Sequence, residues 1–101
     1  MRMLIEVTMP HEPFGTYVKD GSAGHRIQKI LAEQKPEAAY FMEINGHRAA
    51  VLIVDVTDAS RIPAFAEPWF LTFHGDARFR VVMTPEDLAK AGLDALGKKW
   101  A

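Results

Sequence analysis

The chain has 101 residues, no cysteine and a formal net charge of −1. A chain this long forms one domain, residues 1–101, and can bury enough surface to fold without staples. The lack of cysteine excludes disulfides, thiolate metal sites and cysteine nucleophiles, and near neutrality gives nucleic acid or an anionic membrane no electrostatic footprint. Glu6 interrupts the N-terminal apolar stretch before a signal-peptide core can form. The longest apolar run, Ala49 to Val54, is too short to span a bilayer. The expectation is therefore a cytoplasmic protein with no membrane and no nucleic-acid partner.

Residues Met3 to Met9 alternate as a first strand, which Pro10 and Pro13 end. Ile27, Ile30 and Leu31 recur at helical spacing and predict a helix from about Gly24 to Gln34, closed by Pro36. Tyr17 and Val18 share that spacing, but Gly15, Gly21 and Gly24 weaken a helix there. The stretch is either the first part of one long helix or a loop leading to a shorter helix capped by Ser22, and the structure of residues 11–23 is left open. Ala38 to Ile44 reads as a second strand and Asn45-Gly46 as a type I′ turn. The third strand, about Arg48 to Val56, is apolar at nearly every position, as a central strand should be.

Asp58 or Ser60 starts a second helix with the stripe Ile62, Phe65, Ala66 and Trp69. Pro68 should kink or end it. His74-Gly75-Asp76 is a turn, and Ala77 to Met83 is the fourth strand. Thr84-Pro85-Glu86-Asp87 starts a last helix with a cap, a proline and two acids, and Gly97 ends it. This order, strand-helix-strand-hairpin-strand-helix-strand plus a helix, predicts an α+β, ferredoxin-like β-α-β-β-α-β antiparallel sheet with helices on one face.

Alternation then sorts the side chains. Met3, Ile5, Val7, Tyr40, Met42, Ile44, Phe79, Val81 and Met83 are expected to face the helices. Leu4, Glu6, Thr8, Phe41, Glu43, Arg78, Arg80 and Val82 are expected on the open face, which mixes apolar and charged groups. Such a face is either solvated or covered, and a homodimer joined sheet to sheet would cover it and enclose a cavity.

Two segments carry a resemblance. Ala66-Glu67-Pro68-Trp69-Phe70-Leu71 and Phe79-Arg80-Val81-Val82-Met83-Thr84-Pro85-Glu86-Asp87, in this element order, resemble small bacterial members of the dimeric α+β-barrel superfamily. That superfamily includes muconolactone isomerases and antibiotic-biosynthesis-type monooxygenases. The resemblance covers nearly the whole chain and implies a dimeric barrel. It carries over no catalytic residue, because function lives in the site and not in the fold.

The residues expected to line a small-molecule site are Glu6, Thr8, Phe41, Glu43 and Arg80. If the strand order is 4-1-3-2, Glu6 and Arg80 lie on neighbouring strands. They could then serve as an acid/base carboxylate and a cation for an anionic or carbonyl substrate, or as an ion pair that sets dimer register. His11, at the end of the first strand, is the other candidate proton carrier. His25, His47 and His74 read as surface residues. No metal-ligand spacing is present and no cofactor is expected. Gly21-Ser22-Ala23-Gly24 matches a G-x-x-G nucleic-acid loop but lacks basic surroundings. Three functions follow as expectations: a binder of a small organic molecule, an isomerase or cofactor-independent monooxygenase using Glu6 or His11 with Arg80, or an interaction module.

Overall fold

Alternation along the first strand decides which way the sheet faces. In the computed structural model, which describes residues 1–101, Met3, Ile5, Val7 and Met9 are buried and the residues between them are not. The strands are β1 (Arg2–Met9), β2 (Ala38–Ile44), β3 (His47–Asp55) and β4 (Asp76–Val81). The helices are α1 (His11–Asp20), α2 (Ala23–Gln34), α3 (Ile62–Phe73), α4 (Pro85–Lys90) and α5 (Leu93–Trp100), with a 3₁₀ turn at Ala59–Arg61 before α3. The protein is thus an α+β fold with a four-stranded antiparallel sheet and five α-helices. The strand order is β2-β3-β1-β4, or β4-β1-β3-β2 from the other edge, so β1 and β4 are neighbours. No helix is long and apolar enough to cross a membrane.

The core lies between the inner face of the sheet and α1, α2 and α3. Ile5 and Leu52, paired across β1 and β3, and Trp69 and Phe73 on α3 are fully buried. The Phe73 ring stacks on Phe14 at 4.9 Å and on Trp69 at 5.9 Å between centroids, within the range of favourable aromatic pairs.

Residues 11–23 form structure that the glycines obscured. Pro13 opens the helical dihedrals of α1, because Glu12 is extended at φ −112° and ψ 142°. The Glu12 carboxylate accepts the Thr16 N–H at 3.0 Å and the Thr16 hydroxyl at 2.7 Å. These bonds, the hydroxyl's first, hold the carboxyl below its ordinary pKa. Gly21 is left-handed and ends α1. Ser22 stands at the N-terminus of α2 but does not cap it; its Oγ accepts from Arg26 Nε at 3.0 Å.

Pro68 does not end α3, an end being one of the two outcomes expected of it. Proline has no N–H for the carbonyl four residues back, here Ala64. Gln34 of α2 supplies the missing donor: its Nε2 is 3.4 Å from the Ala64 oxygen and 3.0 Å from that of Phe65. Its Oε1 accepts from Trp69 Nε1 at 3.3 Å. One amide thus repairs the helix, satisfies the buried indole and ties α2 to α3. The helix can then carry its stripe on to Phe73.

The C-terminal segment also departs from expectation. β4 ends at Val81, so Met83 is an exposed linker residue and not part of the core. Thr84 and Asp87 form a full capping box for α4, and the Thr84 N–H and hydroxyl hold the Asp87 carboxyl below its ordinary pKa. The expected single last helix is two. Gly92, at φ 73°, breaks it, and α5 continues through Gly97.

Candidate functional site

The register places four rows of side chains on the open face. Paired residues in an antiparallel sheet share a face. The first row is Arg80, Leu4, Ile53 and Ala38; the second is Arg78, Glu6, Val51 and Tyr40; the third is Asp76, Thr8, Ala49 and Met42. Ile44 and His47 pair at the hairpin end of the same face.

Glu6, Thr8 and Arg80 therefore lie on the open face, as expected. Phe41 and Glu43 do not. Phe41 pairs with Ala50, which pairs with Val7 in the core, so the odd residues of β2 face the helix side. Tyr40, Met42 and Ile44, assigned to the core by sequence, lie on the open face instead. The two-residue hairpin decides this. The left-handed Asn45 and Gly46 set Ile44 opposite His47, and every other residue of β2 follows in step. Glu43 braces the turn instead of lining a site, because its Oε2 accepts the Gly46 N–H at 2.8 Å.

The partner of Glu6 also changes. Arg78 stands across from Glu6, while Arg80 stands across from Leu4. Arg78 Nη1 lies 3.9 Å from Glu6 Oε2, a charge contact too long for a hydrogen bond. The Glu6 side chain is 24% exposed and that of Arg78 is 72%. The carboxylate is mostly covered on the sheet, and the guanidinium projects into solvent.

At this end of the face Glu6, Thr8, His47, His74, Asp76 and Arg78 line a concavity of about 320 Å³. Four elements build it. β1 and β4 supply alternating polar residues, the hairpin supplies His47, and the left-handed His74 closes α3 and turns the chain into β4. Gly75 makes the turn possible, since a Cβ there would stand 3.0 Å from the Thr8 carbonyl oxygen.

His11 sits beside the concavity. Its ring stacks on that of His47 at 4.5 Å between centroids. Arg48 holds it there: the guanidinium lies 4.6 Å from the centre of the Phe14 ring, and Nη1 donates to the His11 carbonyl at 3.4 Å. His25, by contrast, is on α2, far along the chain from these groups, beside a second groove between α2 and α3.

His47, His74, Asp76 and Arg78 line the hollow, although the sequence reading left them on the surface or passed over them. The signal for Arg78 was present but ambiguous. Arg78 and Arg80 share a phase, and only the pairing of β4 with β1 chooses between them. No group of three or more histidine and carboxylate side chains has metal-binding geometry. Chemically, the arrangement offers a mostly covered carboxylate, an exposed guanidinium and two imidazoles around a polar hollow. The sequence matches no protein-family model and no curated protein.

Proposed function

We propose that the protein binds a small polar organic molecule in the concavity beside Glu6, and that a second copy packs on the open face and closes it. The observation that carries this reading is the convergence of Glu6, Arg78, His47 and His74 on one hollow of about 320 Å³. Arg78 would hold a carboxylate or enolate oxygen of the ligand, and Thr8 and the imidazoles would orient it.

The second copy is supported by the open face itself. Tyr40 and Met42 are exposed there, and the half-buried Val51 and Ile53 lie between them and β1. Two-fold homodimers are the commonest soluble assembly. The ferredoxin-like assignment belongs to the same proposal. An all-antiparallel β4-β1-β3-β2 sheet with helices on one face supports it, and two such sheets face to face would make the dimeric α+β barrel.

An enzymatic reading is favoured by one feature, the half-buried Glu6 carboxylate beside a cation and near the His11–His47 pair. Glu6 or His11 would move a proton, and Arg78, with Arg80 one row away, would stabilise the resulting enolate.

Native mass spectrometry of the purified full chain tests the binding reading. A dimer carrying a small mass that dissociates on activation is expected, and Arg78→Ala should lose that mass while staying dimeric. A monomer, or a dimer whose bound mass is indifferent to Arg78→Ala and Glu6→Gln, would remove this site. Once the ligand is identified, Glu6→Gln should abolish turnover if the protein is an enzyme and merely weaken binding if it is not.

A further inference from the structure

The C-terminal arm is the part of the molecule that its own fold leaves unexplained. Every residue from Pro85 to Ala101 is exposed, although α4 and α5 have well-formed ends. The radius of gyration is 17.1 Å and the longest extent 60 Å, against about 13 Å of gyration radius for a compact domain of this size. Helices of six and eight residues do not persist alone in water. On α5, Leu93, Leu96 and Trp100 recur at i, i+3 and i+7, one apolar stripe with nothing against it, and Trp100 is 77% exposed.

A receptor for such a stripe exists on the same chain. The groove between α2 and α3, about 650 Å³, is lined in part by Ile30, Pro63, Ala64, Pro68 and Leu71. Its walls are charged in order. His25, Arg26 and Lys29 stand toward the start of α2, and Glu33 stands toward its end, with Glu67 across on α3. The end of α2 lies beside the first turns of α3, where Gln34 meets Ala64 and Phe65. From Lys29 to Glu33 is four residues of helix, about 6 Å, the same spacing as Asp94 to Lys98 on α5. α5 carries Asp94 in its first turn and Lys98 and Lys99 in its last. Laid along α2 in the same direction, it sets Asp94 against Lys29 and the two lysines against Glu33 and Glu67.

We propose that α5 of one copy docks in the α2–α3 groove of a second copy, by a helix-in-groove contact with Leu93, Leu96 and Trp100 as anchors. Two copies exchanging arms reciprocally close a two-fold dimer. The contact lies on the helical side of the sheet and does not depend on the open-face contact or on the ligand.

The test is sedimentation of the full chain over a range of concentrations, read together with tryptophan emission. The chain has two tryptophans, and Trp69 is buried, so the concentration-dependent part reports Trp100. Dilution should dissociate the assembly and shift the emission to the red. Leu96→Asp should abolish this association. The pair K98E/K99E and the pair E33K/E67K should each weaken it about tenfold or more, and the two pairs combined should restore it. All these positions are exposed, and circular dichroism checks that each variant is folded.

A monomer with solvent-exposed Trp100 at every concentration would overturn the proposal. So would a monomer with Trp100 shielded at every concentration, which would place the arm in its own groove. An assembly that survives Leu96→Asp but falls to Met42→Asp would leave the open-face contact standing and remove the arm from it; the opposite pattern would keep the docked arm and remove the open-face dimer.

Discussion

The two faces of the sheet are made from the same strands, yet they differ in almost every physical respect. On the helix side Ile5, Val7, Leu52 and Val54 are sealed beneath Trp69 and Phe73. On the open side Leu4, Glu6, Thr8, Tyr40, Met42 and Arg78 remain accessible in part or in full. One residue separates Ile5, which holds the fold, from Glu6, which faces the hollow. If the proposed site is right, stability and recognition occupy alternate positions of β1, so each can be altered with little effect on the other.

The largest effect that would sharpen this contrast comes from the covered side. Trp69→Ala should lower stability by about 3–5 kcal/mol, because it empties a fully buried site and strands Gln34. Thermal or urea unfolding checks it, and a loss under about 1 kcal/mol would mean that the core closes without the indole.

Gln34→Leu should follow, at about 1–3 kcal/mol, through the unpaired Trp69 N–H and the carbonyl left bare by Pro68. The double variant with Pro68→Ala tests the reason. Alanine brings its own N–H to the Ala64 carbonyl, so Gln34→Leu should cost less in that background. Equal costs in both backgrounds would show that Gln34 does not act as the substitute donor.

On the open side, Glu6→Gln should change stability by no more than about 0.5 kcal/mol, as surface substitutions usually do, while it weakens ligand binding. A loss of several kcal/mol would break the comparison by making Glu6 part of the fold.

The smallest effect concerns pH. Glu12 and Asp87 have folded pKa values below their ordinary ones, through bonds from Thr16 and Thr84. Their contribution to stability is present above the ordinary carboxylate range and fades as pH falls through the lowered folded values. Carboxyl-carbon NMR titration should find both values low, and Thr16→Val should return that of Glu12 toward the ordinary range.

Much of the architecture was readable in particular residues. Thr84, Pro85 and Asp87 marked the start of α4, Asn45-Gly46 marked the hairpin, and Ile62, Phe65, Ala66 and Trp69 marked the buried side of α3. Pro68 misled because the donor that rescues its helix is Gln34, on a different helix and far back in the chain. Gly15 and Gly21 hid α1 because neither hints that Glu12 and Thr16 stabilise its first turn. Of the expected site residues, Glu6, Thr8 and Arg80 lie on the open face and His11 at the rim of its hollow. Phe41 and Glu43 lie on the other face.

The sequence by itself determined the four strands and their order, the hairpin, α2, α3 and the inward face of β1, because turn chemistry and strict alternation are local properties. It did not determine α1 or the break between α4 and α5. It could not determine the faces of β2, whose run Ala38 to Ile44 is apolar in both phases except at Glu43. Nor could it choose Arg78 over Arg80 for Glu6. Those choices are settled by register, which is a property of two strands together. A shift of one residue turns every side chain to the opposite face, so only the paired sheet decided which residues surround the hollow.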